Sequence, residues 1–406
     1  MPDPITWWVL AKEVGDNQSI LEAIDAQILA HNLDASAHGQ SDESVYNHRI
    51  SALLDHVNYS IYNIKIAPES RTVKAFVDAG GACEFTYIQD AIDYTYAHGG
   101  GRVFVKAGTY LQTTDLILYS NIYLEGEDDD TTIIDFQDSQ YEIKAIGTNG
   151  LHKRNIHVSH IQVTGSLVSW EGAIYFNYVD DSSVVSCQFK DNYDAGAHSA
   201  LGVRFENCER CVLENGRFIN NNSHISIAYG GHNIVKYNEC DTSFVSAIIF
   251  SQTENFQCLF NIINTPGASG IDCEAEPFDA LIHGNYVNGA TSYGVFLAGS
   301  ARSIVTENNV QMGAGYNDGI RLEGGSKNIV SNNFVSANED ATGIALDTEL
   351  EDIVSSNRVT LCDTGIDVSN AGCNRCLIHG NIVYDIINTA IHNAGTSTLV
   401  ADNITA

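Results

Sequence analysis

The second half of the chain repeats itself, and that repeat restricts the fold more than any other feature. The stretches GVFLAGSARSIVTENNV from 294, GIRLEGGSKNIVSNNFV from 319 and GIALDTELEDIVSSNRV from 343 share one pattern. Equivalent starts fall at His224, Ala247, Gly270, Gly294, Gly319, Gly343, Gly365 and Ala390, in steps of 22 to 25 residues. A second series keeps the same beat: Asn238, Asn261, Asn285, Asn308, Asn333, Asn357, Asn381 and Asn403. Each repeat reads as two short alternating strands, GI-x-L and nIV-x-nN-x-V, separated by Gly, Ser, Asp and Asn. None of it has helical spacing. Units this short bury a core only by stacking. The expected fold is all-β: a right-handed parallel β-helix, a single-stranded solenoid with one repeat per coil. Leucine-rich repeats of similar length need a leucine signature that is absent. The recurring Asn is read as a stacked amide ladder at a turn, with no chemistry of its own.

Charge narrows the partners. Lys plus Arg number 20 against 51 Asp plus Glu, a formal charge of -31. Such a surface repels nucleic acid and anionic membranes. The N-terminal stretch MPDPITWWVLAKEVGD has no basic region, and its apolar run is too short for a signal peptide or membrane insertion. The ten Cys are therefore expected to stay reduced. Cys208/Cys211 and Cys373/Cys376 have CxxC spacing, but they fall seven coils apart, roughly 34 Å at the strand spacing. They cannot form one zinc site, and each pair is read as one inward thiol with a turn neighbour.

Upstream, FTYIQDAIDYTYAHGGGRVFVKAGTYLQTTDLILYSNIYLEGE (85–127) resembles the opening of pectate-lyase-like β-helix proteins. The order is theirs: a capping helix, a GGG-R-V-F-V strand, an AGTY turn, then the first coils. The helix is also readable alone, since Phe85, Ile88 and Ile92 share a face and HGGG ends it. Residues 1–70 differ. SILEAIDAQILAHNLD opens with a capping box, Ser19 and Glu22, and SDESVYNHRISALLDHV is a second amphipathic segment. HNLDASAHG at 31–39 is similar to segments of phage tail-fibre and tail-spike proteins. His31, His38, His48 and His56 are read as solvated, with metal binding in a trimer as the alternative. The expected division is 1–70, a helical attachment and oligomerisation module; 71–100, linker and capping helix; and 101–406, the β-helix. The resemblance implies a homotrimeric virion tail spike or fibre, acting extracellularly and joined through residues 1–70 to other tail proteins. TSTLVADNITA ends within a coil, so either neighbouring chains protect it or the natural protein continues.

The candidate site starts from GIDCEAEPFD (270–279), where Asp272, Glu274 and Glu276 alternate with Ile271, Cys273 and Ala275. A strand would put the three acids on one face. Aligning the outward positions gives Arg204, Ser226, Ile249, Asp272, Phe296, Arg321, Ala345 and Asp367 in one row. Glu206, Ala228, Ser251, Glu274, Ala298, Glu323, Asp347 and Ser369 form the next. Asp272 and Glu274 would stand roughly 6.6 Å apart at Cα. Carboxylates about 5 to 9.5 Å apart suit acid and nucleophile, or acid and base, in glycoside hydrolysis. Phe296 offers a sugar ring an apolar face, and Arg204 and Arg321 are further contacts. The coil from Ala173 to Gly202 carries an insertion, KDNYDAGAHSA (190–200). It brings Asp194, Tyr193 and His198 within reach, with His224 and Tyr229 on intermediate coils.

Asp272, Glu274, Glu276 and Asp194 are the catalytic candidates. Phe296, Arg321, Arg204, His198, His224 and Tyr229 are the binding candidates, and the partner is a host-surface polysaccharide. The bland alternative is solvated acid in an acidic protein. GEDDDTT (126–132) is read as a solvated turn, with calcium as the alternative there and at the 272–276 trio; otherwise no cofactor or metal is expected. A non-catalytic receptor-binding or structural spike is the second function. A polysaccharide lyase or epimerase is the third, weakened because Arg204 and Arg321 alone supply cations on this face.

Overall fold

The computed structural model describes residues 73–168, 170–193, 200–314 and 318–405. Contacts divide the chain into Met1–Arg71 and Thr72–Ala406. The helices expected in residues 1–70 lie outside the described residues.

The described residues form a parallel β-solenoid. A 14-stranded sheet runs along it, beginning at Val73–Val77 and ending at Leu399–Ala401. A 25-stranded sheet holds the remaining strands, and every ladder pairing between coils is parallel. Each complete coil carries three strands, as in Ile271–Glu274, Leu281–His283 and Tyr286–Ala290. Two were expected. The nIV-x-nN-x-V stretch breaks because the residue before each ladder Asn turns the chain left-handed: Tyr237, Phe260 and Glu307 have φ of 56°, 53° and 57°.

The ladder then closes the corner. Asn308 Nδ2 donates to Ile282 O at 3.0 Å and to Asn333 Oδ1 at 3.0 Å, and the Asn308 backbone N–H donates to the same Oδ1 at 2.9 Å. Asn261, Asn285, Asn333, Asn357 and Asn381 repeat the bond to the next amide oxygen. These amides are buried, so satisfying both donors and acceptors is what makes a polar interior column tolerable.

Inside the corner, Val287, Val310, Val335, Val359 and Val383 stack in register and are fully buried. Each such side chain contributes about 1.5–3 kcal/mol by leaving water. This column explains the glycines that begin the repeats. A Cβ on Gly294 would stand 2.2 Å from Val310 Cγ1, and one on Gly319 2.3 Å from Val335 Cγ1. Close packing between strand start and valine wall, rather than turn geometry, requires glycine there.

Near the first coils, the helix Ile88–Ala97 buries Ile88, Ala91, Ile92 and Thr95 and stops before Gly99 and Gly100, with φ of 90° and 84°. Phe85 is not on its face. It precedes the helix, bridges to Val77, and packs against Tyr94 at 5.3 Å. No described helix is long and apolar enough to cross a membrane.

Candidate active site and corner groove

The outward row has the register read from the repeats. Arg204 pairs with Ser226, Ser226 with Ile249, Ile249 with Asp272, Asp272 with Phe296, and Phe296 with Arg321. Arg321 continues to Ala345 and Asp367. The row also extends to residues the alignment missed: Lys144 pairs with Tyr175 and Tyr175 with Arg204. Cations on this face are therefore not limited to Arg204 and Arg321. The repeat is too degenerate in the early coils for periodicity to reveal this.

Asp272 is the most perturbed acid of the row. It is only 8% exposed, and its Oδ2 accepts the Ser246 hydroxyl proton at 2.9 Å. Its Oδ1 is buried without a hydrogen-bond partner. Burial, then the neighbouring Glu274 charge, raises its pKa from 3.8 to about 6, against the opposing hydroxyls of Ser246 and Ser269. Glu274 closes the same strand and is exposed. On the next coil Phe296 stacks on Tyr293 with centroids 4.7 Å apart. Arg321 lies 6.0 Å from the Tyr293 ring and donates to Asp318, Glu323 and Asp347 at 3.0, 3.1 and 3.1 Å. Burial pushes the Asp318 carboxyl up. Tyr293, Asp318, Ser246 and Ser269 lie in the turns before the strand, where no regular spacing marks them.

Three expectations need correction. Glu276 does not share the Asp272 face: the strand ends at Glu274, and Ala275 and Glu276 both turn left-handed, φ 59° and 64°. Ala275 is exposed rather than inward. His224 is fully buried, its ring 5.7 Å from Phe218 and its Nδ1 3.0 Å from Asn221 Nδ2. Burial lowers its pKa to about 3, so it is a neutral core group and not a surface contact. Its coil carries Cys240 where the adjacent coils carry Phe218 and Ile263, and a small wall residue suits a large side chain at the strand start. Finally, both members of each CxxC pair are buried, not one of two.

Arg204 faces Trp170, donating to its carbonyl, and pairs with Glu206 at 3.4 Å. Asp194 and His198 lie outside the described residues. Tyr193, beside them, stacks on Phe244 at 3.8 Å.

Tyr229 and Glu276 belong to a second feature. An open groove of about 560 Å³ runs along the corner after the same strands, lined among others by Asn149, His152, Tyr178, Asn207, Tyr229 and Glu276. His152 Nδ1 is held by Asp180 Oδ1 at 2.7 Å.

The stack, its amide ladder and its outward rows define a right-handed parallel β-helix of the pectate-lyase-like kind, an architecture it shares with phage tail spikes. A family model described as right-handed beta helix region matches residues 278–405. The chain belongs to the family described as periplasmic copper-binding protein (NosD), whose model matches residues 99–288 and 198–316.

Three solved structures show the same fold. The A-module of the Azotobacter vinelandii mannuronan C-5 epimerase AlgE6 is 18% identical with a TM-score of 0.69, over 79% of this chain and 94% of that one. Bacteriophage CBA120 tailspike protein 3 is 13% identical with a TM-score of 0.58, over 80% and 60%. The Streptococcus pneumoniae surface adhesin PfbA is 16% identical with a TM-score of 0.55, over 76% and 88%. At these identities the likeness is one of fold alone. No curated protein sequence matches the chain.

The family description raises copper, and the residues do not fit it. Copper favours thiolate, thioether and imidazole donors. Nine of the ten thiols are buried, and burial pushes Cys187 up to about 12 and Cys376 to about 11. Among the described residues, the one group of three or more His, Cys, Asp or Glu close enough to share an ion is Asp128, Asp129 and Asp130. Those are oxygen donors, the type that suits a hard cation.

Proposed function

We propose that the chain is a virion tail spike or fibre protein that binds a host-surface polysaccharide and hydrolyses it at Asp272 and Glu274. The observation that carries the reading is the pairing of a buried carboxyl with an exposed one two residues along the same strand. Asp272, raised to about 6, retains its proton into the weakly acidic range and serves as general acid to the leaving oxygen. Glu274 is the nucleophile or the base. The stacked Tyr293–Phe296 pair on the next coil is a platform for a sugar ring. Fold likeness to a phage tailspike and to a surface adhesin supports placement at a cell surface. In this reading residues 1–70 attach a homotrimer to other tail proteins. No step calls on a metal ion.

A lyase or epimerase would have to neutralise a uronate carboxylate. The row supplies cations for that, but each is already held by a carboxylate: Lys144 by Asp115 at 2.6 Å, Arg204 by Glu206, and Arg321 by three carboxylates. Hydrolysis of a less anionic polymer suits this electrostatics better.

The test is reducing-end release from host-surface polysaccharide by the wild type, Asp272→Asn and Glu274→Gln. Loss of about 10²-fold or more in either variant is expected, with wild-type cleavage declining as pH rises through about 6. Release that survives both substitutions removes the acids from the mechanism. Binding without any release points to a receptor-binding spike.

A further inference from the structure

The corner groove carries a periodic arrangement that the hydrolytic site does not use. Residues Tyr178, Asn207, Tyr229 and Gln252 follow the paired positions Asn177, Glu206, Ala228 and Ser251 on four successive coils. The corner thus alternates aromatic, amide, aromatic, amide, one residue for each coil. Coils stand about 4.8 Å apart, so the two tyrosines recur at roughly 9.6 Å. All four residues are left-handed, with φ of 54°, 53°, 51° and 50° for Tyr178, Asn207, Gln252 and Tyr229. That conformation is unfavourable for a bulky side chain. Two later coils place Gly299 and Gly324 at the same corner, φ 66° and 75°. Ala275 and Thr348 fill the corner on other coils, φ 59° each, so bulky rings stand at Tyr178 and Tyr229 where small residues also occur, and Tyr229 is 46% exposed. Phe278, 38% exposed, adds a third ring to the groove wall.

The charge of the groove selects among polymers. Glu209, Glu254 and Glu276 line it. Its one basic lining residue, His152, is bound to Asp180 at 2.7 Å. A polyuronate entering there would meet acids whose neighbouring bases are already paired, His232 with Glu209 at 3.3 Å and Arg154 with Asp180 at 3.6 Å.

We propose that this groove binds an uncharged linear polysaccharide, with a disaccharide spanning two coils. One sugar of each pair lies on a tyrosine and the next is hydrogen-bonded by the intervening amide. In a flat linear glycan successive sugars present alternate faces, which suits an aromatic platform at every second step. The inference rests on the reading of a polysaccharide ligand but not on cleavage at Asp272.

The experiment uses the full chain on an array of linear bacterial polysaccharides, neutral and uronate-containing, followed by titration of those bound. Neutral chains are expected to bind and uronate-rich ones to fail. Tyr229→Gly should weaken binding about tenfold while the Tm stays level or rises, because glycine relieves the left-handed backbone. Tyr178→Ala should weaken binding similarly. Binding that depends on Tyr229 without any reducing-end release supports the groove and overturns only the hydrolytic reading. Preference for polyuronates, no binding to any neutral chain, or binding unchanged in Tyr229→Gly overturns the groove, whether or not chains are cut.

Discussion

Asp272 shows how one residue can be legible by position and illegible by environment. Alternation along GIDCEAEPFD places it outward, and the register agrees. Its burial comes from turns that precede strands on its own and neighbouring coils, which no local pattern announces. The consequence is a measurable penalty. A carboxyl raised from 3.8 to about 6 binds its proton more tightly when folded than when unfolded. Its stabilising contribution is present below about pH 3.8 and lost as pH rises through about 6. A shift of that size is on the order of 3 kcal/mol. Denaturant unfolding at pH 4 and pH 7 should therefore show Asp272→Asn gaining on the wild type at the higher pH. An equal difference at both pH values would contradict the assignment.

At the scale of elements, the Asn ladder and the valine wall together define the corner. Asn333 Oδ1 accepts from both the backbone and the side chain of Asn308, and its Nδ2 donates to Val305 O and Asn357 Oδ1. Truncating it strands buried donors and acceptors on neighbouring coils. Asn333→Ala should cost about 2–4 kcal/mol, since each orphaned group costs about 1–3. Asn403 bonds to one adjoining coil, its Oδ1 accepting from Asn381 and its Nδ2 donating to Ile378 O. Asn403→Ala should accordingly cost less, about 1 kcal/mol. Equal losses in urea unfolding would mean that the bonds do not act through stacking.

For the molecule as a whole, acid burial accompanies a net charge of -31. Glu142 is 1% exposed, and burial with the adjacent Glu171 raises it from 4.5 to about 9 despite Lys144. Burial also raises Asp318, and burial with the Glu349 contact raises Asp352. These acids all shift in the same direction and outnumber the opposing His224, which burial lowers to about 3, so the folded state holds more protons than the unfolded one across the range from pH 4.5 to about 9. Self-repulsion of the surface adds to this as pH rises. The Tm should fall steadily from pH 5 to pH 9, and Glu142→Gln should flatten the upper part of that fall. A Tm that rises over this interval would contradict the shared direction.

By itself the sequence determined the solenoid, its beat, the amide ladder and the facing order of the outward row. Those depend on periodicity of two within a strand and of one coil between strands, both local. The third strand of each coil was missed because left-handed residues such as Tyr237 and Phe260 carry no turn signature in their identity. His224 occupied a repeat position and was read outward, although only the cross-coil packing with Phe218 decides that it is core. The separation of Glu276 from Asp272 depends on two consecutive left-handed residues. The groove joins residues from Asn149 to Phe278, more than a hundred positions apart. Stacking brings such distant residues together through accumulated coil geometry, and that is a tertiary property which no single repeat encodes.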